Sequence, residues 1–294
     1  MKKFELSFES IGCTETYTKE ITILVVAPDK IDDKTGAMLF CHGWGGNRFQ
    51  HQDFMKAVAD KYNILCLSPE YRMSGFDFNP RSGWGWYMPY DLSFYQTFDN
   101  LLALRFILQL HPNLDRRRIF VYGGSQGGHI ALLSAIYAPN TFAAAYSSSG
   151  MVCVPDENTS LFEAAGRLFS DAERKVRSVP YLIDRIETPL FMEHGTGDET
   201  VDHATNTAVV EALMKERGKP CDVVYYEGGH HDLSPVITKL DAFQRMVPKF
   251  LPTYGNSRPD DFSAASQITI PCGDKTLSID WSRDARDPQL LSWK

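Results

Sequence analysis

Three observations predict an α/β fold with a mostly parallel sheet covered by helices on both faces. Short runs rich in β-branched and aromatic residues alternate with longer helical patterns along most of the chain. The 294 residues are 43% hydrophobic and 23% charged, which supports a large packed core and argues against disorder or a coiled coil. A glycine-flanked serine stands where one apolar run passes directly into a helical one.

Taken in order, strands are expected at 4–9, 21–27, 37–41, 63–67, 118–122, 142–147, 189–193 and 222–226, eight in all. Helices are expected at 52–61, 92–110, 126–137, 203–217 and 236–250. The clearest is 92–110, where Leu101, Leu104, Ile107 and Leu108 recur at three- and four-residue spacing until His111-Pro112 stops them. The first two strands leave no room for a helix between them, so they begin the sheet antiparallel. Two insertions interrupt the alternation. Residues 71–97 are dense in aromatics and glycine, with Trp84, Trp86, Tyr87 and Tyr90 close together; residues 151–185 carry helical character around 160–177. Such insertions at one end of a sheet shape a cleft or pack onto the body. After the unit of residues 1–250, the extension 251–294 holds Gln267–Ile270, a Gly273-Asp274 turn and Leu277–Trp281. This reads as a β-hairpin that covers an edge of the same domain or pairs with a second copy of the chain.

Composition removes several classes of function. Lys and Arg number 30 against 37 Asp and Glu, a net charge of −7, which is unsuited to a phosphate backbone, so no nucleic-acid partner is expected. No window approaches the roughly 20 apolar residues of a membrane span. The segment Met1–Ser10 alternates apolar and polar residues instead of forming a signal-peptide core, so a cytoplasmic protein without a membrane partner is expected. The six cysteines, at 13, 41, 66, 153, 221 and 272, form no C-x-x-C pair and read as reduced structural thiols.

The chemistry begins at Arg118–Gly128. Gly123-x-Ser125-x-Gly127 is a nucleophile-elbow pattern, with an apolar strand running in and the helical His129–Ala135 running out. The turn is tight enough to demand glycines beside the serine and places Ser125 at a helix N-terminus, where developing negative charge is favoured. A serine hydroxyl needs a base held by a carboxylate. Downstream, the strand Pro189–Glu193 ends in His194-Gly195-Thr196-Gly197-Asp198, and the turn presents Asp198. Glu193 lies inside the strand, and Glu199 faces away. The base comes from Gly228-Gly229-His230-His231-Asp232-Leu233. His231 is preferred over His230 because His231-Asp232-Leu233 sets an apolar residue two positions on. For the oxyanion, the backbone N–H groups of Gln126 and of Trp44, in His42-Gly43-Trp44-Gly45-Gly46, are the candidates; His42 itself orients this loop. The histidines and carboxylates lack metal-ligand spacing, so neither metal nor cofactor is expected.

These motifs resemble the α/β-hydrolase superfamily, and within it the branch of the prolyl oligopeptidase catalytic domain, dienelactone-hydrolase-like proteins and acetyl xylan esterases. Gly123–Gly128, His42–Gly45 and His194–Val201 carry the resemblance, which spans about residues 20–250. It implies the α/β-hydrolase fold, a Ser125–Asp198–His231 triad and oxyanion donors at Trp44 and Gln126. The acetyl esterases carry Arg-Gly-Gln where this chain has Glu70-Tyr71-Arg72-Met73-Ser74-Gly75, so their substrate is not carried over. The chain is also too short for the oligopeptidases' propeller. The expected reaction is hydrolysis of small-molecule carboxylic esters through an acyl-enzyme. The alternatives are an aminopeptidase or amidase on the same triad, and a catalytically silent binding protein of this fold.

Overall fold

A computed structural model describes residues 1–14, 17–77, 90–154 and 168–294. The aromatic run Trp84–Tyr87 and the first part of the helical stretch expected at 160–177 lie outside the described residues.

Side chains along the central strands alternate between two hydrophobic cores, as the two-residue period of a strand requires. In β3 (Gly36–Cys41), Ala37, Leu39 and Cys41 face one core while Met38 and Phe40 face the other; in β5 (Ile119–Gly124), Ile119 and Val121 oppose Phe120 and Tyr122. Near-continuous apolar runs are the mark of parallel strands buried on both faces. With β1 (Lys2–Thr14), β2 (Tyr17–Ala27), β4 (Ile64–Pro69), β6 (Ala144–Ser148), β7 (Leu190–Gly195) and β8 (Cys221–Tyr226), they form an eight-stranded sheet of order β1-β2-β4-β3-β5-β6-β7-β8. The first two strands pair antiparallel with each other, β2 is antiparallel to β4, and the remaining neighbours are parallel.

Helices α1 (Gln52–Tyr62), α2 (Phe94–Leu110), α3 (Gln126–Tyr137), α4 (Asp171–Val176), α5 (Thr207–Glu216) and α6 (Lys239–Met246) cover both faces. Phe54 and Met55 of α1 and Phe243 of α6 fill one core; α2, α3, α4 and α5 fill the other. Three helices are shorter than their sequence pattern. α2 starts at Phe94, not 92, because Leu92 and Ser93 take φ of 48° and 77°. α5 starts at Thr207, not 203, because Asp202 holds the preceding turn through Ala204 N–H (3.1 Å) and Asn206 Nδ2 (2.8 Å). α6 starts after Thr238, whose hydroxyl caps Asp241 N–H, and passes at its end into a 3₁₀ turn containing Pro248.

Beyond the sheet, β9 (Gln267–Cys272) and β10 (Lys275–Asp280) form an antiparallel hairpin that β11 (Leu291–Trp293) extends. Its buried face, with Ile268, Ile270, Leu277 and Ile279, merges with the core of α2 and α3. The two insertions meet each other near the nucleophile. Arg177 donates to the carbonyls of Asp91, Leu92 and Glu173, and Tyr90, Leu92, Val154 and Phe169 cluster against Trp44 and Met73.

Candidate active site

The strand order reverses direction at β3, with β4 on one side and β5 on the other. A parallel sheet opens a crevice at such a point, at the carboxyl ends of its strands. The four candidate motifs follow the carboxyl ends of β3, β5, β7 and β8.

Ser125 links β5 to α3 with φ 58° and ψ −123°, a left-handed conformation that a residue with a side chain adopts at a cost of about 1–3 kcal/mol. The surroundings enforce it. A Cβ on Gly123 would strike the carbonyl of Gly127, and one on Gly127 would strike the carbonyl of Cys41 at the end of β3. The elbow is therefore folded tightly on itself and pressed against the end of β3, and glycine is required on both sides of the serine. Ser125 N–H donates to Ser148 O (2.9 Å) and Ser149 N–H to Glu193 O (2.9 Å), which ties the elbow through β6 to β7.

Asp198 sits beyond β7 with its carboxylate fully buried. Its Oδ1 accepts the backbone N–H groups of Thr200 and Val201, both at 2.9 Å. Its Oδ2 accepts His231 Nδ1 at 2.7 Å and His194 Nε2 at 3.1 Å. Burial acts to raise this carboxyl's pKa, but the hydrogen bonds from His194, His231 and Val201 outweigh it and hold the group well below the usual carboxylate range. A carboxylate only accepts, so Nδ1 of His231 carries the proton and Nε2 is the acceptor nitrogen of the neutral ring. His230 is exposed and turns its Nδ1 toward Gly197 O at 3.3 Å. Of the two adjacent histidines, His231 is thus the one brought to Asp198. Glu193 is buried within β7, and Glu199 is exposed.

His42 is buried, with Nδ1 2.9 Å from Gly43 O and its ring stacked on Tyr71 at 3.8 Å. Burial lowers its pKa to about 4, so it is neutral at pH 7. Gly43 N–H is engaged by Gln50 Oε1 at 3.0 Å, and a Cβ on Gly43 would stand 3.5 Å from Ser125 Cβ, so this loop lies against the elbow. Trp44 stacks on Tyr90, and Tyr90 in turn holds the side chain of Gln126.

Two sets of residues escaped the sequence reading. His194 is a second imidazole on Asp198. Its Nε2 also meets Val201 O at 2.8 Å, so that nitrogen is a donor, and Nδ1 is 2.6 Å from Thr207 Oγ1. Its spacing of four residues before Asp198 is the one local signal it offered. Tyr90 stood only as one of the aromatics of the first insertion, and Gln96 had no such signal. Among the described residues, no group of three or more His, Cys, Asp or Glu side chains is arranged to hold a metal ion. No described helix is long and apolar enough to cross a membrane.

A model of the prolyl oligopeptidase family matches residues 83–254, more than half of the chain. The chain belongs to the prolyl oligopeptidase family. It is similar to the uncharacterized peptidase YtmA of Bacillus subtilis, 28% identical over 138 residues that make up 44% of this chain and 53% of that protein. Dipeptidyl peptidase family member 1 of Caenorhabditis elegans is 26% identical over 222 residues, 70% of this chain and 27% of that one. Among solved structures, a putative dipeptidyl aminopeptidase IV from Bacteroides ovatus superposes with a TM-score of 0.66 at 14% identity, covering 86% of this chain and 36% of its own. An acylaminoacyl peptidase from Pyrococcus horikoshii gives 0.66 at 16% identity, covering 88% and 43%. These likenesses show the α/β-hydrolase fold. The chain spans about half the length of the Bacillus relative and less than half of the others. It is a serine hydrolase by family, and the named relatives are described as peptidases.

Proposed function

We propose that this prolyl oligopeptidase family member hydrolyses peptide or related amide bonds through an acyl-enzyme on Ser125. The observation that carries the reading is the 2.7 Å contact between His231 Nδ1 and buried Asp198, together with an elbow that holds Ser125 at a positive φ. With Nδ1 engaged, Nε2 takes the Ser125 proton as Oγ attacks the carbonyl carbon. The tetrahedral oxyanion is held by the backbone N–H groups of Gln126 and Trp44. The imidazolium then protonates the leaving amine as the C–N bond breaks, and water, deprotonated by the same histidine, releases the acid.

An aminopeptidase needs an anion for the substrate's free amine. Among the described residues of the insertions, Asp77 is paired with Lys19 at 2.6 Å, Asp91 with Arg177 at 3.4 Å, Asp171 with Lys175 at 2.7 Å and Asp184 with Arg217, and Glu173 accepts from Ser170. Whether the substrate carries a free amino terminus is read from its turnover.

The test compares blocked and free peptidyl p-nitroanilides with short-chain p-nitrophenyl esters. Turnover of the anilides is expected, with the ratio of free to blocked substrate showing whether a free amino terminus is recognised; turnover of esters alone restores the ester reading. Ser125→Ala should lower the rate by about 10⁴–10⁶. His231→Ala should abolish acylation while His230→Ala retains most activity, and the reverse pattern reassigns the base.

A further inference from the structure

The two amides assigned to the oxyanion stand on different elements, Trp44 after β3 and Gln126 at the start of α3, and Tyr90 touches both residues. Its ring stacks on the Trp44 indole with centroids 4.6 Å apart and planes within 7°. Its hydroxyl donates to Gln126 Oε1 at 2.9 Å. Gln96 Nε2 donates to that hydroxyl at 3.0 Å, and Gln126 Nε2 donates to Gln96 Oε1 at 2.8 Å. The three bonds close a ring in which every side chain donates once and accepts once. The ring is anchored from outside, because Ser93 N–H donates to Gln96 Oε1 at 2.8 Å and Gln96 Nε2 donates to Arg72 O at 3.1 Å. Tyr90, Gln96 and Gln126 are all at least 99% buried.

Building on the serine-peptidase reading, we propose that Tyr90 is a positioning residue that sets the geometry of the oxyanion hole. The direction of each bond in the ring follows from the two anchors, so neither amide can flip without breaking several buried hydrogen bonds at once. A side chain held this way restrains the orientation of the Gln126 backbone N–H from below, while the stacked ring restrains the turn that carries Trp44. Donors aimed before the reaction contribute most where charge develops, so the arrangement acts on the transition state rather than on substrate binding. Packing alone would need only an aromatic ring at position 90. The buried hydroxyl, engaged twice, is what the ring adds.

The experiment uses whichever p-nitroanilide or p-nitrophenyl ester the wild type turns over best, and a double-mutant cycle. Tyr90→Phe keeps the stack and opens the ring; Gln126→Met keeps the backbone amide and opens the ring from the other side. Each variant is expected to lose kcat by about 10-fold with KM changed less than about twofold, and the double variant to be no worse than either single one. A peptidyl trifluoromethyl ketone, whose adduct with the serine places an oxyanion in the hole, should bind more weakly by the same factor as kcat falls. Unchanged kcat in Tyr90→Phe, losses that multiply in the double variant, or unaltered ketone affinity overturns the proposal. Thermal melts accompany each variant; if Tyr90→Phe fails to fold, the kcat and ketone measurements on Gln126→Met decide. Wild-type protein that resists a fluorophosphonate overturns the serine reading and this inference with it. Labelled wild type alongside an unaffected Tyr90→Phe overturns this inference alone.

Discussion

Two imidazoles and two backbone amides donate to the single carboxylate of Asp198, and this crowding has a consequence for stability. A carboxyl whose folded pKa lies below its unfolded value of about 3.9 contributes stability in full above that value, and loses it as the pH falls through the folded pKa. Asp198→Asn should therefore show a smaller loss of unfolding free energy between pH 7 and pH 3 than the wild type, measured by urea titration. The same variant should lose about 10³–10⁴ in turnover, because an amide no longer fixes the His231 tautomer. Equal acid sensitivity in both proteins would place the stabilising carboxylate elsewhere. Ser125, Asp198 and His231 were legible because each sits in a short motif of glycines after an apolar run. His194 and Tyr90 were not, because their roles are set by partners that only the fold brings near. Tyr90 meets Gln126 across 36 positions of sequence, and the sequence of the 71–97 insertion carries no periodicity that marks one aromatic from the next.

The elbow joins residue to element, since one of its glycines answers to a neighbouring strand and the other to the turn itself. A Cβ at position 127 is blocked by the backbone of β3 and one at position 123 by the turn itself. Gly127→Ala can be relieved only by moving α3 away from β3, which separates Ser125 from the Trp44 turn. The expected cost is about 1–3 kcal/mol in urea unfolding, by analogy with overpacking, together with at least a 10-fold loss in fluorophosphonate labelling rate on the folded variant. A folded variant that labels at the wild-type rate would mean that the elbow tolerates the shift. The parallel strands were readable to within two residues because buried parallel strands are short apolar runs between turns. The antiparallel β1 and β2 run to Thr14 and from Tyr17, well beyond the expected 4–9 and 21–27. Helix starts were also less readable. Positive φ at Leu92 and Ser93, and the Asp202 turn ahead of Thr207, are local backbone arrangements that a three- to four-residue apolar spacing does not record.

At the scale of the whole molecule, the segment after Phe250 is tied to the far end of the helix that Ser125 begins. Trp281 is fully buried, its ring lies 4.9 Å from Phe262 and 6.1 Å from Phe98, and its indole N–H donates to Tyr137 O at 3.0 Å, in the last turn of α3. The inner face of the β9–β10 hairpin shares one apolar cluster with α2 and α3, so the last forty or so residues are packed into the body and not appended to it. The sequence showed the hairpin but left open which surface it would cover, because an apolar-polar alternation names a buried face without naming what buries it. Trp281→Ala removes a large side chain and leaves the Tyr137 carbonyl without its donor. The expected loss is about 3–5 kcal/mol of unfolding free energy. If the C-terminal segment and the catalytic body are one cooperative unit, far-ultraviolet circular dichroism and fluorophosphonate labelling will fall together, at the same lowered urea midpoint and with one transition. A variant in which the segment melts first while Ser125 stays reactive would make the last forty or so residues a separate folding unit. In that case the support of α3 would have to come from α2 and the sheet alone.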